Sequence, residues 1–308
     1  MANNIAHNPV MLNTMLEFLS PKSGDKIIDG TFGAGNYSRA ILNYDDVHLT
    51  AFDRDKNVDQ FVNQVQLDFP KRFTFINDKF SNIEHYFGAG SIDRVVLDLG
   101  VSSMQLDNQD RGFSFSKEAR LDMRMGNNSI SAYEVVNHMP EKDLADIIYN
   151  FGGEYFARQI AESIITTRKN RPINSTTELA EIVRKSKKNN NYKIHPATKT
   201  FQAIRIYVND EINELRMFLD KIGRILKVGG RIVIITFHEL EDRLVKNYFK
   251  DNAIKKESTS KYKIAYSDSG YYHLVTKKPI KTDKDEVKIN PRSRSALLRA
   301  AKKVRLEI

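Results

Sequence analysis

The sequence predicts an α/β fold, a mostly parallel sheet built from repeated strand-helix units, with a helical segment inserted after the fourth strand. Three observations lead to it. Apolar runs of strand length recur, each ending in aspartate at Asp29, Asp53, Asp78 and Asp98, at spacings of 24, 25 and 20 residues, which leaves room for one crossover between successive strands. The first run turns directly into two glycines, Gly33 and Gly35. More than 130 residues then separate the fourth run from the fifth, whereas a parallel crossover needs only about 30.

Taken in order, the strands are "KIID", "HLTAFD", "RFTFIND" and "DRVVLD", each rich in β-branched or aromatic residues. The next segment is helical in pattern. "PEKDLADIIYNF" places Pro140 in a first turn and closes at Gly152 and Gly153, "EYFARQIAESIITTR" follows, and "STTELAEIVRKSKK" opens on a capping pattern. From Ala197 to Leu226 one long or broken helix returns to the sheet, and Gly229 and Gly230 are expected to stop it. The fifth strand is "RIVIITF". Beyond it, "SKYKIAY" and "YYHLVTKK" about "SDSG" predict an antiparallel hairpin, and "NPRSRSALLRAAKK" predicts a short helix with an arginine face.

At 308 residues and 41% hydrophobic content the chain can bury one large core, or a core and a second domain. No run is long enough to cross a bilayer, and "MANNIAHNPVMLNTMLEFL" has neither the basic flank of a signal peptide nor the arginines of a transit peptide. A cytoplasmic location with no membrane partner is expected. There is no cysteine, which excludes thiol nucleophiles, iron-sulfur clusters and zinc-cysteine sites, and no metal is expected. Of the net charge of +9, residues 277–308 hold +7, from 11 Lys and Arg against 4 Asp and Glu. Such a run is either a solvated tail or a contact for a polyanion, and Arg292 and Arg294 are the candidates for the second role.

The glycine loop raises the question of its ligand. Gly33 and Gly35, followed by an acid at Asp53, match half of a dinucleotide fingerprint. Two features argue against a pyrophosphate: Ser38 replaces the third glycine, and every one of the first four strands ends in aspartate. Ligands of open α/β sheets sit over the carboxyl ends of the strands. Carboxylates there repel a pyrophosphate but suit a ligand carrying a sulfonium and an ammonium, such as S-adenosylmethionine, with Asp53 on the ribose hydroxyls. Aspartates at strand ends also cap the helices that follow, and that role competes with ligand binding at each position.

Downstream of Asp98 the chain reads "DLGVSSMQLDNQDRGFSFSKEARLDMRM", "HPATKTFQAIRIYVNDEINEL", "TFHELEDRLVK" and "NPRSRSALLRAAKK". These strings, in this order and from "HNPVML" onward, closely resemble the 16S ribosomal RNA (cytosine-N4) methyltransferases, the MraW or RsmH family. The resemblance implies a class I, Rossmann-like S-adenosylmethionine-dependent methyltransferase domain formed by residues 1–104 and 207–308, with a helical substrate-recognition insert over 105–206. It implies methylation of the exocyclic N4 amine of a cytosine in the decoding region of 16S ribosomal RNA, within the small ribosomal subunit or its precursor. The family's cofactor contacts fall on Gly35, Asn36, Tyr37, Asp53, Phe80, Asp98 and Gln105, beside Gly33 of the same loop. The family generally has Gly-Gly-His where this chain has Gly35-Asn36-Tyr37, so only backbone contacts carry over there, and Glu239 stands where a serine is usual.

The chemistry of an exocyclic amine makes its own demands. Its lone pair is delocalised into the ring, so the enzyme needs an acceptor for the amino hydrogens and in-line placement at about 3 Å from the methyl donor. Asp98, or a carbonyl of "DLGVSS", is the candidate acceptor. Methylation at ring carbon 5 normally needs a cysteine adduct and radical methylation a cysteine-bound cluster, so direct displacement on an amine or hydroxyl remains. The base must leave its stack to reach the donor. "RGFSF" sets Phe113 and Phe115 beside Arg111, either to receive a base and a phosphate or as part of a core. His238, just past the fifth strand, is a candidate substrate contact, whereas His195 before Pro196 reads as structural. Two other functions remain open from the residues alone: a non-catalytic RNA-binding assembly factor on the same fold, and a nicotinamide-dependent dehydrogenase.

Overall fold

The computed structural model describes residues 9–187, 194–254, 256–260, 263–266 and 270–306; His7, where the family resemblance starts, lies outside them. The chain divides into two compact units, Met1–Gly100 with Ile212–Ile308, and Val101–Glu211. The first stretch holds α1 (Leu12–Leu19), β1 (Lys26–Asp29), α2 (Asn36–Leu42), β2 (His48–Phe52), α3 (Asp59–Asp68), β3 (Phe73–Ile76) and β4 (Ile92–Asp98). Next come α4 (Ser103–Asp107), α5 (Ala132–His138), α6 (Glu141–Gly152), α7 (Ala157–Asn170), α8 (Thr176–Ser186) and α9 (Thr198–Asn209). The chain then continues through α10 (Glu211–Ile225), β5 (Leu226–Thr236), α11 (Glu239–Asp251), β6 (Lys256–Ser260), β7 (Lys263–Tyr266), β8 (Tyr272–Leu274), β9 (Ile280–Lys281), α12 (Lys284–Ile289) and β10 (Leu297–Lys303).

In the first unit the sheet runs β3-β2-β1-β4-β5-β10-β8, with β9 also on β10. The first five strands are parallel and β10 is antiparallel to β5. Val95, Val96 and Leu97 of β4 and Ile232 to Ile235 of β5 are all buried, as expected of central strands covered on both faces, which is why their sequences run apolar without alternation. Helix α10 presents Leu215, Phe218, Leu219 and Ile222 to this core at helical spacing. Its end is capped by a buried lysine: Lys303 Nζ donates to the carbonyls of Gly223 at 2.6 Å and Leu226 at 2.8 Å, where the helix leaves them without partners.

The second unit is helical. Leu144, Ile147 and Ile148 of α6, Ile160 and Ile164 of α7, Leu179 and Val183 of α8, and Phe201 and Ile204 of α9 share one core with Leu121 and Met123. Ser175 caps α8 by accepting from the Glu178 amide at 3.3 Å. The expected long helix is broken, α9 ending where Asp210 turns left-handed at φ 52°.

Three expectations are corrected. Helix α10 ends at Ile225, ahead of Gly229 and Gly230. Those glycines lie where the pairing with β4 jumps from Ile92↔Leu226 to Arg94↔Arg231, and a Cβ on Gly230 would stand 2.8 Å from the Asp93 carbonyl oxygen. The hairpin partner of Lys263–Tyr266 is β6, not the "YYHL" segment, whose β8 pairs with β10 instead; most of "SDSG" lies outside the described residues. Finally, "NPRSRSALLRAAKK" is a short 3-10 turn over Pro291–Ser295 followed by strand β10. Its Leu and Ala residues pack into the sheet, and Arg299 is buried in a two-point ion pair with Asp242 of α11 at 2.7 and 2.9 Å.

Candidate functional site

Within the first unit, the order of strands reverses between β1 and β4, and the candidate residues gather at their carboxyl ends. Asp29, the last residue of β1, is fully buried; its Oδ1 accepts from the Thr31 amide at 3.1 Å and its Oδ2 from Ser38 Oγ at 2.8 Å. Ser38, noted in the sequence only as a missing glycine, thus anchors this carboxylate. Thr31 also ties the two strands together, its Oγ1 accepting the Asp98 amide at 2.7 Å.

Asp53 follows β2 and shapes the glycine loop, Oδ2 accepting from the Gly33 amide and Oδ1 from the Asp55 amide, both at 2.8 Å. Gly33 (φ 54°) and Gly35 (φ 76°) take left-handed conformations, and a Cβ on Gly35 would lie 2.8 Å from the Phe32 ring. Asn36 and Tyr37 begin α2; the Tyr37 ring is buried and its hydroxyl donates to the Val10 carbonyl, so its side chain is committed to packing. Phe80 packs edge-on to Phe218 of α10 at 5.6 Å.

Electrostatics separate the four strand-end aspartates. Burial pushes Asp29 and Asp53 up to about 6, against their backbone and side-chain hydrogen bonds. Burial, and then the charges of Asp29 and Glu241, raise Asp98 well above the usual carboxylate range. Its Oδ1 is shut off from solvent and has no hydrogen-bond partner among the described residues. Asp78 differs: it accepts from the Lys79 amide, Asn82 Nδ2 and Tyr86 Oη at 2.7 to 2.9 Å, a cap for the turn that follows, and these bonds outweigh burial and hold it below the usual range. The competing capping role therefore applies to Asp78, whereas the other three carboxylates are held close together against their own repulsion.

Past β5, His238 caps α11, Nδ1 accepting from the Glu241 amide at 3.4 Å, with only 7% of the side chain exposed. Its Nε2 lies 3.1 Å from Glu241 Oε1 without the alignment of a hydrogen bond. Glu241 is buried, and its Oε2 accepts from the amides of Phe237 and His238. Sequence reading missed Glu241; the signal was the spacing of His238 and Glu241 in a capping box. Glu239, the departure from the family pattern, points to solvent. Arg292 and Arg294 are both exposed on the turn before β10.

The remaining candidates lie in the second unit. Gln105 is buried in a capping box, Oε1 accepting from the Ser102 amide at 3.0 Å. Arg111 donates to the Arg124 carbonyl at 2.7 Å and sits over the Phe113 ring at 5.7 Å. Phe113 is a core residue at 9% exposure. Phe115 is half-buried, stacked on His195 at 4.5 Å and edge-on to Phe201 at 4.9 Å. Of the two readings of "RGFSF", the packed core is the one in which Phe113 is found, and His195, itself exposed, accepts at Nδ1 from the Ala197 amide at 3.2 Å.

Buried carboxylates raised towards neutrality, one with an unpartnered oxygen at a strand end next to a loop with two left-handed glycines, fit a ligand that brings positive charge and hydrogen-bond donors. The same set would leave a pyrophosphate facing like charge.

The sequence matches the model of the MraW methylase family over residues 4–304. It is 50% identical over 302 residues to a "Ribosomal RNA small subunit methyltransferase H" of Rickettsia felis, covering 97% of this chain and 99% of that one. It is 49% identical over 302 residues to the protein of that name in Rickettsia bellii, with the same coverage. Among solved structures, a putative methyltransferase from Streptococcus mutans in complex with SAH aligns with 96% of this chain and 99% of its own at 12% identity and a TM-score of 0.45, a distance at which the likeness adds nothing to the family match. Among the described residues no helix is long and apolar enough to cross a membrane.

Proposed function

The chain belongs to the MraW methylase family, and from that premise we propose that it is an S-adenosylmethionine-dependent ribosomal RNA methyltransferase acting on the exocyclic N4 amine of a cytosine in the decoding region of 16S ribosomal RNA. The substrate is met in the small subunit or its precursor, and the enzyme works in the cytoplasm.

The observation that carries the amine reading is the unpartnered Oδ1 of Asp98 at the end of β4. S-Adenosylmethionine, when bound over these strand ends, supplies a methyl group made electrophilic by its sulfonium. Gly33, Gly35 and the amides of Asn36 and Tyr37 let the cofactor approach the backbone, Asp53 takes the ribose hydroxyls, and Phe80 adds the further contact that the family resemblance carries over within this unit. Positive charge at this point favours the ionised form of Asp98, which burial and then the charges of Asp29 and Glu241 otherwise oppose. Ionised, Oδ1 accepts an amino hydrogen, which draws the nitrogen lone pair out of the ring and aims it at the donor. As the nitrogen's bond to the methyl carbon forms, the carbon–sulfur bond would break with its electron pair left on a neutral thioether; the nitrogen becomes cationic and sheds one hydrogen as a proton to the acceptor already bonded to it, Asp98.

Nucleoside mass spectrometry of 16S ribosomal RNA from cells with and without this protein tests the proposal. An N4-methylated cytosine that disappears with the protein is the expected result; loss of a methyl from a ribose oxygen, from ring carbon 5 or from another base would overturn it.

A further inference from the structure

Tyr155, in the second unit, is 86% exposed, the most exposed large apolar side chain among the described residues. It stands in the four-residue link between α6 and α7, and that link is held rigidly. Gly153 turns left-handed at φ 59° to end α6, and Gly152 lets the link lie against α9, where a Cβ would stand 2.5 Å from the Lys199 carbonyl oxygen. Glu154, the next residue, is paired with Lys187 at 2.6 Å, the two side chains only 5% and 3% exposed, and Lys187 Nζ also donates to the Pro196 carbonyl at 2.5 Å. A buried ion pair of this kind contributes little net stability, because desolvation offsets its attraction, but it fixes geometry.

What is fixed is one face of a ring. Lys199 Nζ lies over Tyr155 at 5.6 Å from the centroid and donates to the Gly153 carbonyl at 2.8 Å, so one side of the tyrosine carries a cation and the other faces solvent. Nearby in sequence, Arg158 and Gln159 at the start of α7 are both exposed, and a second exposed aromatic, Tyr149, stands on the last turn of α6. A rigid aromatic with a cation behind it and another one helical turn on suits a partner that has flat π-faces strung on a polyanion.

We propose that Tyr155 and Lys199 form an accessory single-stranded RNA subsite, the ring stacking on one unpaired base and Lys199 and Arg158 facing the flanking phosphates. This rests on the reading of the protein as a ribosomal RNA methyltransferase and adds a second point of hold on the same substrate. The subsite is independent of the base that reacts, and stacking reads a face that every base has, so it supplies affinity without sequence preference.

The test uses the full chain with two probes: a fluorescein-labelled decauridylate, and protein-free 16S ribosomal RNA lacking the modification. Tyr155→Ala should weaken binding of both by about five- to a hundred-fold, the range for loss of one stacked base, and Tyr155→Phe should restore it. Lys199→Gln should weaken it less and reduce its salt dependence. Since the chain has no tryptophan, Tyr155→Trp introduces a sole reporter, whose fluorescence should be quenched at saturating decauridylate. Cofactor affinity should be unchanged in all of them. Circular dichroism and melting like wild type together with undiminished RNA binding by Tyr155→Ala, or an unquenched reporter, would overturn the subsite alone. A loss confined to intact small subunits would also overturn it, by placing the ring on ribosomal protein. Wild-type protein that bound neither probe and methylated no ribosomal RNA would instead overturn the functional reading beneath it.

Discussion

The Gly33 amide donates to Oδ2 of Asp53 at 2.8 Å, so the loop after β1 is held in shape by the carboxylate after β2. The residue proposed to bind the cofactor's ribose thus also shapes the glycine loop proposed to receive that cofactor. Asp53→Ala should therefore weaken S-adenosylmethionine binding by at least the roughly ten- to hundred-fold of one or two missing charge-assisted bonds, and a loosened loop would add to this. Isothermal calorimetry with the demethylated product measures it, and unchanged affinity would remove Asp53 from the site.

A pH dependence comes with the same group. Asp53, like Asp29, is raised to about 6 from 3.8, and a cationic ligand prefers both ionised. Cofactor affinity should be level above about pH 7 and fall as the pH drops through 6, by up to about tenfold per unit for each proton taken up. Stability of the ligand-free protein should move the other way. The folded chain retains protons that the unfolded chain releases between pH 3.8 and about 6, so on account of these two groups it gains stability as the pH falls through that window. Binding and urea titrations at pH 5, 6 and 7.5 read both trends; affinity independent of pH would mean the carboxylates are ionised throughout.

Asp98→Asn keeps the shape of the side chain but removes its charge and turns half of it into a donor. Single-turnover methylation at saturating cofactor should slow by at least about a hundred-fold, the scale of one missing transition-state hydrogen bond. Full turnover by this variant would leave the reaction standing and exclude Asp98 from it.

Arg292 and Arg294 are both exposed on the turn before β10, and their joint replacement by glutamine should weaken RNA binding and lower its salt slope by nearly one for each phosphate that an arginine had neutralised. Cofactor binding should be unaffected. A salt slope equal to that of wild type would assign both arginines to the protein's own surface.

In the second unit, fully buried Asn209 bonds the backbone on both sides of Arg124. Its Oδ1 accepts from the Met125 amide at 2.8 Å and its Nδ2 donates to the carbonyl of Met123 at 2.7 Å, where Met123 is left-handed at φ 58°. Asn209→Ala strands two buried backbone groups and should destabilise the protein by about 3 kcal/mol or more. A urea midpoint close to wild type would show that the loop reorganises around the substitution.

The parallel strands were legible because sheets covered on both faces demand unbroken apolar runs, and "VVL" and "IVII" admit few other readings. The last strand was not. "LLRAAKK" has helical composition, and it is a strand only because β5 offers an open edge and because Arg299 and Lys303 find buried partners in Asp242 and the end of α10; such partners are distant in sequence. At the site, the aspartates and glycines announced themselves by position. What a sequence cannot display is how neighbours share a proton: that Asp78 is satisfied by its own turn while Asp98 keeps an idle oxygen depends on which donors the fold brings near. Glu241 and Ser38 were missed for the same reason, each having an ordinary local role available to it.

The place of β10 between β5 and β8 has a consequence for biosynthesis. It is the last strand of the sheet to leave the ribosome, yet its neighbours on both sides are made before it. Until Leu297–Lys303 emerges, β5 remains an apolar edge with unpaired amides, and the carbonyls at the end of α10 wait for Lys303. Nascent chains halted before this point should therefore be prone to edge-to-edge association and depend on chaperones, whereas the second unit, contiguous in sequence and complete by residue 211, is free to fold while the sheet is still unfinished.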